Sequence, residues 1–374
     1  MESVRNGRML PRLSFGFRGA WVSMQRGGHR GRIPTAIRGV FVSSSNDGGF
    51  GVSMGTMFEV GAALLGACVG SFLNVVIWRL QQDEPSKRSL GGRSHCPHCG
   101  ALIRWFDNIP IVSWLVLRAR ARCCRKPIAA RYPLVEALTA GLFLVLAHWP
   151  PFGPVGSLAA DGHLDVDPAG AAAFGLHAVF LSLLVALSFI DFDTQLLPDV
   201  LTKPGIAIGI AAGFWPGTAG LIPDDAALTP AMRGLLASVV GACAGGGVTW
   251  AIRAVGSHVF RREAMGFGDV KLMAMVGAFL GWQSALLTMF LGCIFGAVVG
   301  GLGALRGGSS QIPFGPYLAM GAVVAMFLRH PIVTFLFTTW PEWQRDSSAA
   351  PFVLGGTALV SLLLLFWLVR RARR

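Results

Sequence analysis

Long apolar runs separated by short polar stretches set the pattern of the chain from about residue 58 onward. They cover about Phe58 to Trp78, Leu134 to Ala147, Phe174 to Ile190, Ile206 to Trp215, Met232 to Val255, Val270 to Leu280, Ala285 to Leu305, Tyr317 to Leu336 and Val353 to Val369. Each is a candidate membrane-spanning helix, although the shortest are marginal against the ~20 residues that a bilayer core requires. Between the first and second runs lies a segment, up to Tyr132, that is too long and too charged to cross a bilayer. The predicted fold is therefore an all-α polytopic membrane protein with about eight to nine transmembrane helices and a cytoplasmic Cys-containing insertion after the first.

Charge gives the orientation. The segment after the first run carries Arg79, Lys87, Arg88, Arg93, Arg104, Arg118, Arg120, Arg122, Arg125, Lys126 and Arg131 against Asp83, Glu84 and Asp107. Cytoplasmic loops are the Lys- and Arg-rich ones, which puts this segment inside. Alternate counting then places the loops with Asp161, Asp165 and Asp167 and with Asp224 and Asp225 outside, while Arg253, Arg261, Arg262, Arg306 and the Arg370–Arg374 tail fall inside. The basic, Gly- and Ser-rich stretch over 1–53 breaks the scheme. It is expected to be a disordered arm, or to precede a working start at Met54 or Met57. The predicted organisation is this arm over 1–53, the first helix with the Cys-containing segment over 57–136, a membrane-embedded core over 137–317, and C-terminal helices with a basic tail over 318–374. Composition agrees: 53% of residues are hydrophobic and 14% charged. The net charge of +13 sits between spans and at chain ends, which fits membrane orientation rather than nucleic-acid binding.

Two acidic positions break the apolar pattern at the polar ends of runs. Asp191 lies in Phe189-Ile190-Asp191-Phe192-Asp193 and Asp269 in Met265-Gly266-Phe267-Gly268-Asp269-Val270-Lys271. Carboxylates at membrane depth are costly and usually line a functional cavity. On the alternating scheme both fall near the cytoplasmic face at similar depth, where two carboxylates can share a proton and hydrolyse an amide. Asp191 at a helix C-terminus and Asp269 at a helix N-terminus near Lys271 predict that Asp191 carries the shared proton and Asp269 activates water. Gly266 and Gly268 allow close backbone approach. Taken alone, a Gly-rich turn with an Asp N-cap is common, and a span-end carboxylate explains Asp191 equally well. Asp193 and Asp199 read as loop residues, with Asp199 a candidate to meet a basic substrate segment.

Seven cysteines are present, and Cys68, Cys243 and Cys293 sit inside apolar runs. Cys96, Cys99, Cys123 and Cys124 form the one group, and they invite a metal reading before a disulfide.

These stretches together resemble the type IV prepilin peptidases, the bifunctional leader peptidases and N-methyltransferases of pilus and type II secretion systems, from about Gly61 to Tyr317. The matching pieces are Gly70-Ser71-Phe72-Leu73-Asn74-Val75-Val76-Ile77-Trp78-Arg79, Cys96-Pro97-His98-Cys99, Trp105-Phe106-Asp107-Asn108-Ile109-Pro110, and Arg131-Tyr132-Pro133-Leu134-Val135-Glu136. Asp191-x5-Leu197-Pro198-Asp199, Gly266-x-Gly268-Asp269-x-Lys271-Leu272 and Ile312-Pro313-Phe314-Gly315-Pro316-Tyr317 follow in order. The resemblance implies an intramembrane aspartyl endopeptidase of the GxGD type with Asp191 and Asp269 catalytic. Its substrates would be prepilin and pseudopilin precursors, cut on the cytoplasmic side of the bacterial inner membrane just ahead of an apolar helix. It implies S-adenosylmethionine as methyl donor, with Asn74, Arg79, Asp107, Asn108 and Glu136 marking the methyltransferase region; no Gly-rich methyl-donor loop supports this independently. Glu136 reads equally as a span-end carboxylate paired with Arg131.

The family pattern has two CxxC pairs, and alignment through Pro127-Ile128 puts the third cysteine's place at Ala121, with Cys123 offered instead. Adjacent cysteines do not readily chelate one tetrahedral ion together, so zinc is left open, with His95 or His98 as stand-ins. The last span, Val353 to Val369, is additional to the family core. Two rival readings are a proton-coupled transporter, for which inverted repeats with midplane carboxylates are wanted and not found, and a non-catalytic assembly scaffold.

Overall fold

Apolar side chains around the whole helix circumference and small residues at regular spacing produce a set of closely packed long helices. The structure is a computed structural model that describes residues 54–82, 91–92, 94–152, 155–158, 164–214, 229–261, 263, 265–305, 313–347, 349, 351–353, 356 and 359. The arm over 1–53, the outer acidic positions Asp161, Asp224 and Asp225, and most of the predicted last span lie outside the described residues.

The first run becomes α1 (Met54–Leu80), and the polar segment holds a 3-10 turn (Trp105–Asn108) and a short α2 (Val112–Val116). Then come α3 (Arg131–His148), α4 (Pro168–Thr194), α5 (Asp199–Ala212), α6 (Pro230–Phe260), α7 (Phe267–Leu305), α8 (Gly315–Thr334) and α9 (Trp340–Asp346). The strands among the described residues are two of three residues each, β1 (Gly156–Leu158) and β2 (Leu164–Val166), paired antiparallel ahead of α4. Helix starts follow local chemistry. The Asp167 side chain accepts from the N–H groups of Ala169 and Gly170, and Pro168 opens α4 where its missing N–H costs nothing. Thr229 caps α6 in the same way through Met232 N–H. Gln195, left-handed at φ 53°, ends α4 with its N–H on Asp191 O.

Among the described residues five helices are long and apolar enough to cross a membrane: those spanning Gly55–Leu80, Pro168–Thr194, Pro230–Val259, Phe267–Gly303 and Gly315–Asp346. The fourth is two arms. Gly281, at φ 79° and ψ 170°, breaks α7. A Cβ built on Gly245 of α6 would lie 2.3 Å from Met273 O and 3.2 Å from Ala285 Cβ. In a straight helix those two residues would be about 18 Å apart. The arms therefore fold back on each other at Gly281, as the two runs Val270 to Leu280 and Ala285 to Leu305 predict.

Without water to expel between helices in lipid, close backbone approach through small residues supplies the packing. Gly241 and Gly277 carry the α6–α7 crossing, since a Cβ on either would meet the other's carbonyl oxygen at 2.1 and 2.0 Å. Gly66 and Gly70 do the same for α1 on α3, against Thr139 O and Glu136 Cα, each at 2.7 Å. Around these seams one buried apolar cluster joins Phe143, Phe180, Leu184, Met275, Phe279 and Leu318. The result brings the C-terminal end of α4 and the N-terminal ends of α7 and α8 to one end of the helix set.

Candidate active site

The Asp191 side chain leaves α4 one turn before the helix ends, because α4 continues past the apolar run to Thr194. It is 5% exposed. Its Oδ2 accepts the backbone N–H of Gly315, the first residue of α8, at 3.0 Å. Asp269 stands in the first turn of α7 and is 8% exposed, with the Gly266 N–H directed at its carboxylate. The two carboxylates are near enough for their charges to interact. Two buried acids so placed cannot both hold a negative charge cheaply.

The sequence-based division of labour loses its basis here. It rested on Asp191 lying at a helix C-terminus and Asp269 at a helix N-terminus near Lys271, whereas α8 also presents a helix N-terminus to Asp191. Each carboxylate therefore has one backbone N–H donor that favours its anion, and helix ends alone do not assign a shared proton to either member.

The loops on either side are locked to this centre. Gly268 has no room for a side chain, since a Cβ would lie 2.8 Å from Leu197 Cβ in the turn after α4. Gly266 has its nearest neighbour, Asp269 Oδ2, at 3.5 Å from a built Cβ and so is not needed for space. Lys271 forms an ion pair with Asp199 at the start of α5, and Lys203 bonds the second oxygen of Asp199 at 2.8 Å. Both Asp199 oxygens are thus engaged by lysines of the chain itself, with the side chain still partly exposed. Arg253 of α6 holds Met265 O at 3.0 Å and Glu263 at 3.1 Å, fixing the strand of chain that leads into the Gly266-Phe267-Gly268-Asp269 turn. Sequence reading did not single out Arg253 or Gly315 as parts of the site. Gly315 was visible only as part of a quoted stretch.

The expected methyltransferase positions divide into two groups. Asn74 of α1, 7% exposed, donates to Tyr132 O at 3.0 Å, and Glu136 of α3, 8% exposed, accepts from Ile111 N at 2.7 Å and from the Ser71 hydroxyl. The buried Arg79 donates to Gly91 O at 2.6 Å. Asp107, largely covered, forms a bidentate pair with the exposed Arg122, and Asn108 is exposed in the 3-10 turn. Glu136 is not paired with Arg131. That arginine goes to Asp193 and to Phe189 O at 3.2 Å, so α3 is tied to the end of α4 two residues beyond Asp191. Gln81 joins the same Asp193 oxygen at 2.7 Å.

The cysteines lie in two loops of the same construction. Cys96 N–H bonds Ala101 O at 2.8 Å and Gly100 N–H bonds Cys96 O at 2.9 Å; in the second loop Ala121 N–H bonds Lys126 O at 2.8 Å and Arg125 N–H bonds Ala121 O at 2.8 Å. Gly100 (φ 72°) and Arg125 (φ 58°) occupy the same left-handed position, and each loop is closed by an isolated bridge, His95 with Leu102 and Arg120 with Pro127. Ala121 therefore stands where Cys96 stands in the first loop, and Cys123 occupies the place of His98. The objection from adjacency does not hold, because all four Sγ atoms lie within 4.8 Å of one another. Cys96 and Cys124 are 3.8 Å apart and Cys99 and Cys123 are 3.3 Å apart. A tetrahedral zinc site with bonds of about 2.3 Å places its sulfurs about 3.8 Å apart, so the cluster fits that ion. Burial pushes the Cys96 thiol up, but the backbone N–H groups of His98 and Cys99 and the neighbouring thiols outweigh it and leave it at about 7. Cys123, sharing a hydrogen bond with Cys99, is pushed up to about 12.

Residues 64–149 match the family model described as the bacterial peptidase A24 N-terminal domain, and residues 178–301 match that of the type IV leader peptidase family. A prepilin leader peptidase/N-methyltransferase of Myxococcus xanthus (strain DK1622) is 41% identical over 66% of this chain and 63% of the relative, so this chain spans less than two thirds of that protein's length. Proteins of the same name from Burkholderia pseudomallei (strain 1026b) and Aeromonas hydrophila are each 36% identical over 74% of this chain, covering 87% and 93% of those relatives. No solved structure matches the chain. With both domain matches falling on the helices that carry Glu136, Asp191 and Asp269, and relatives matched over nearly their full length, the chain belongs to the type IV leader peptidase family.

Proposed function

We propose that this protein removes the basic leader from prepilin and pseudopilin precursors at the cytoplasmic face of the bacterial inner membrane and N-methylates the residue so exposed. The single observation that carries the peptidase reading is the buried Asp191 and Asp269 pair at one end of the helix set, with the α8 N-terminus behind Asp191. One carboxylate takes a proton from water as it attacks the scissile carbonyl, and the protonated partner donates to the leaving amine. The names of the relatives support both activities. A proton-coupled transporter and a passive scaffold have no support from either source.

S-adenosylmethionine is the methyl donor in this reading, supplying an electrophilic methyl on a positively charged sulfur. Glu136 fits such a group electrostatically: its buried carboxylate has an N–H and a hydroxyl donor but no cation among the described residues. Purified protein incubated with a co-purified precursor and S-adenosylmethionine is expected to yield a leader-less product bearing one added methyl group, read by mass spectrometry. Release of the leader without methyl gain would remove the transferase half of the reading.

Zinc held by Cys96, Cys99, Cys123 and Cys124 belongs to the same proposal. One equivalent is expected in protein purified without chelator, and Cys123→Ser is expected to bind it at least tenfold more weakly, measured by competition with a chromophoric chelator. Unchanged zinc affinity in Cys123→Ser would leave a three-thiolate site completed by another group.

A further inference from the structure

The end of the helix set remote from the carboxylate pair holds a cavity of about 500 Å³. Its wall includes Phe152 after α3, His177 of α4, Gly281 at the fold of α7, and Arg329 and His330 of α8. His177 lies about four turns from Asp191 along α4, and Arg329 about four turns from Gly315 along α8. At 1.5 Å per residue the cavity is thus about 20 Å from the reacting groups, towards the opposite membrane face.

Arg329 is the decisive residue. It is partly buried in the cavity wall, and among the described residues it has no carboxylate, carbonyl or hydroxyl partner. A half-buried guanidinium with no partner among the described residues leaves its fork of donors open to an anion. His330 follows it at the same mouth. The remainder of the site is formed in advance of any ligand. The His177 ring is held by its Nδ1 contact to Ala173 O at 2.7 Å and lies 4.9 Å from the Phe152 ring. Phe279 and Met326 add apolar wall. A cavity of this size with one convergent cation among apolar side chains is the usual form of a small-molecule site. The four long helices contributing to it, α4, α6, α7 and α8, are each apolar enough to cross a membrane. At about 20 Å from the carboxylate end, the cavity lies near the level of the far headgroups of a bilayer.

We propose that this cavity binds the phosphate-bearing headgroup of an anionic phospholipid, with Arg329 as the charge partner and the Phe279 and Met326 wall against the start of the acyl chains. The guanidinium matches a phosphate diester in charge and in its fork of donors, and its positive charge opposes the choline cation that phosphatidylcholine carries beside the same diester. A soluble phosphate offers the same headgroup chemistry without the chains, so the test separates the two. The proposal does not rest on the peptidase reading, and its readouts are binding and thermal stability rather than cleavage.

Full-length protein in an uncharged detergent is titrated with mixed micelles of phosphatidylglycerol, with phosphatidylcholine, or with inorganic phosphate, and Tm is followed. Phosphatidylglycerol is expected to raise Tm by several degrees, with the other two giving no comparable shift. Arg329→Gln is expected to lose that shift while Arg329→Lys retains most of it. Equal shifts from phosphatidylcholine, or an undiminished phosphatidylglycerol shift in Arg329→Gln, would overturn the site, and an equal shift from inorganic phosphate would overturn the lipid as its ligand. Should Arg329→Gln not fold, native mass spectrometry of the wild-type protein in a mixture of the two lipids decides: selective retention of phosphatidylglycerol supports the site and unselective retention sinks it.

Discussion

Asp191→Asn and Asp269→Asn are each expected to lower leader cleavage by about 10³-fold or more, while methylation of a precursor already cleaved continues in both. The size follows from what the pair does. General acid–base transfer by a positioned side chain contributes about 10²–10⁴-fold, and removing one member of a pair that acts as a unit removes the acid and the base together. Asparagine keeps the shape of the side chain and a carbonyl oxygen for the Gly315 N–H at position 191, so folding is expected to survive. Retained methylation separates a lost active site from a lost protein, because Asn74 and Glu136 lie on α1 and α3 rather than on the helices that carry the pair. Cleavage persisting in one variant and absent in the other would refute a mechanism that needs both carboxylates.

Gly315→Ala is expected to reduce the turnover number for cleavage by about 10²-fold with little change in KM. A Cβ at Gly315 would lie 2.6 Å from Asp191 Oδ2 and 3.0 Å from its Cγ, closer than real contacts allow. The methyl group drives the carboxylate off its N–H donor, and displacement of a reacting group by about 1 Å costs on this scale. Because Gly315 opens α8 rather than filling its interior, alanine there is no burden on the helix itself, and Tm is expected to stay within a few degrees of the wild type. Single-turnover cleavage and a thermal melt of the same preparation measure both quantities. Wild-type turnover in this variant would show that Asp191 does not need the α8 N-terminus.

Arg131, Asp193 and Gln81 give the two matched domains a physical connection. Arg131 opens α3, Asp193 lies in the last turn of α4 beyond Asp191, and Gln81 follows α1, so the end of the peptidase helix is held by both helices of the N-terminal domain. The guanidinium also sits over the Phe189 ring, 5.2 Å from its centre. This polar knot is exposed enough to contribute little by charge alone, and its role is one of position.

The apolar pattern of the sequence by itself determined the helical membrane class, the position of nearly every long helix and the division of α7 into two arms, because burial in lipid imposes length and hydrophobicity on each span separately. The acidic interruptions at Asp191 and Asp269 were legible for the same reason: a charge in an apolar run stands out without any knowledge of its neighbours. What the tertiary structure alone decided was who faces whom. Asp199 is claimed by Lys271 and Lys203, and Arg131 by Asp193 instead of Glu136. The α8 N-terminus reaches Asp191 from more than a hundred residues away. Such partners depend on helix crossings set by the close approach of glycines such as Gly241 and Gly277. The cysteine loops show the same division in small compass: adjacency in sequence argued against a shared ion, and the left-handed turn at Arg125 brings both thiols of the second loop to the cluster.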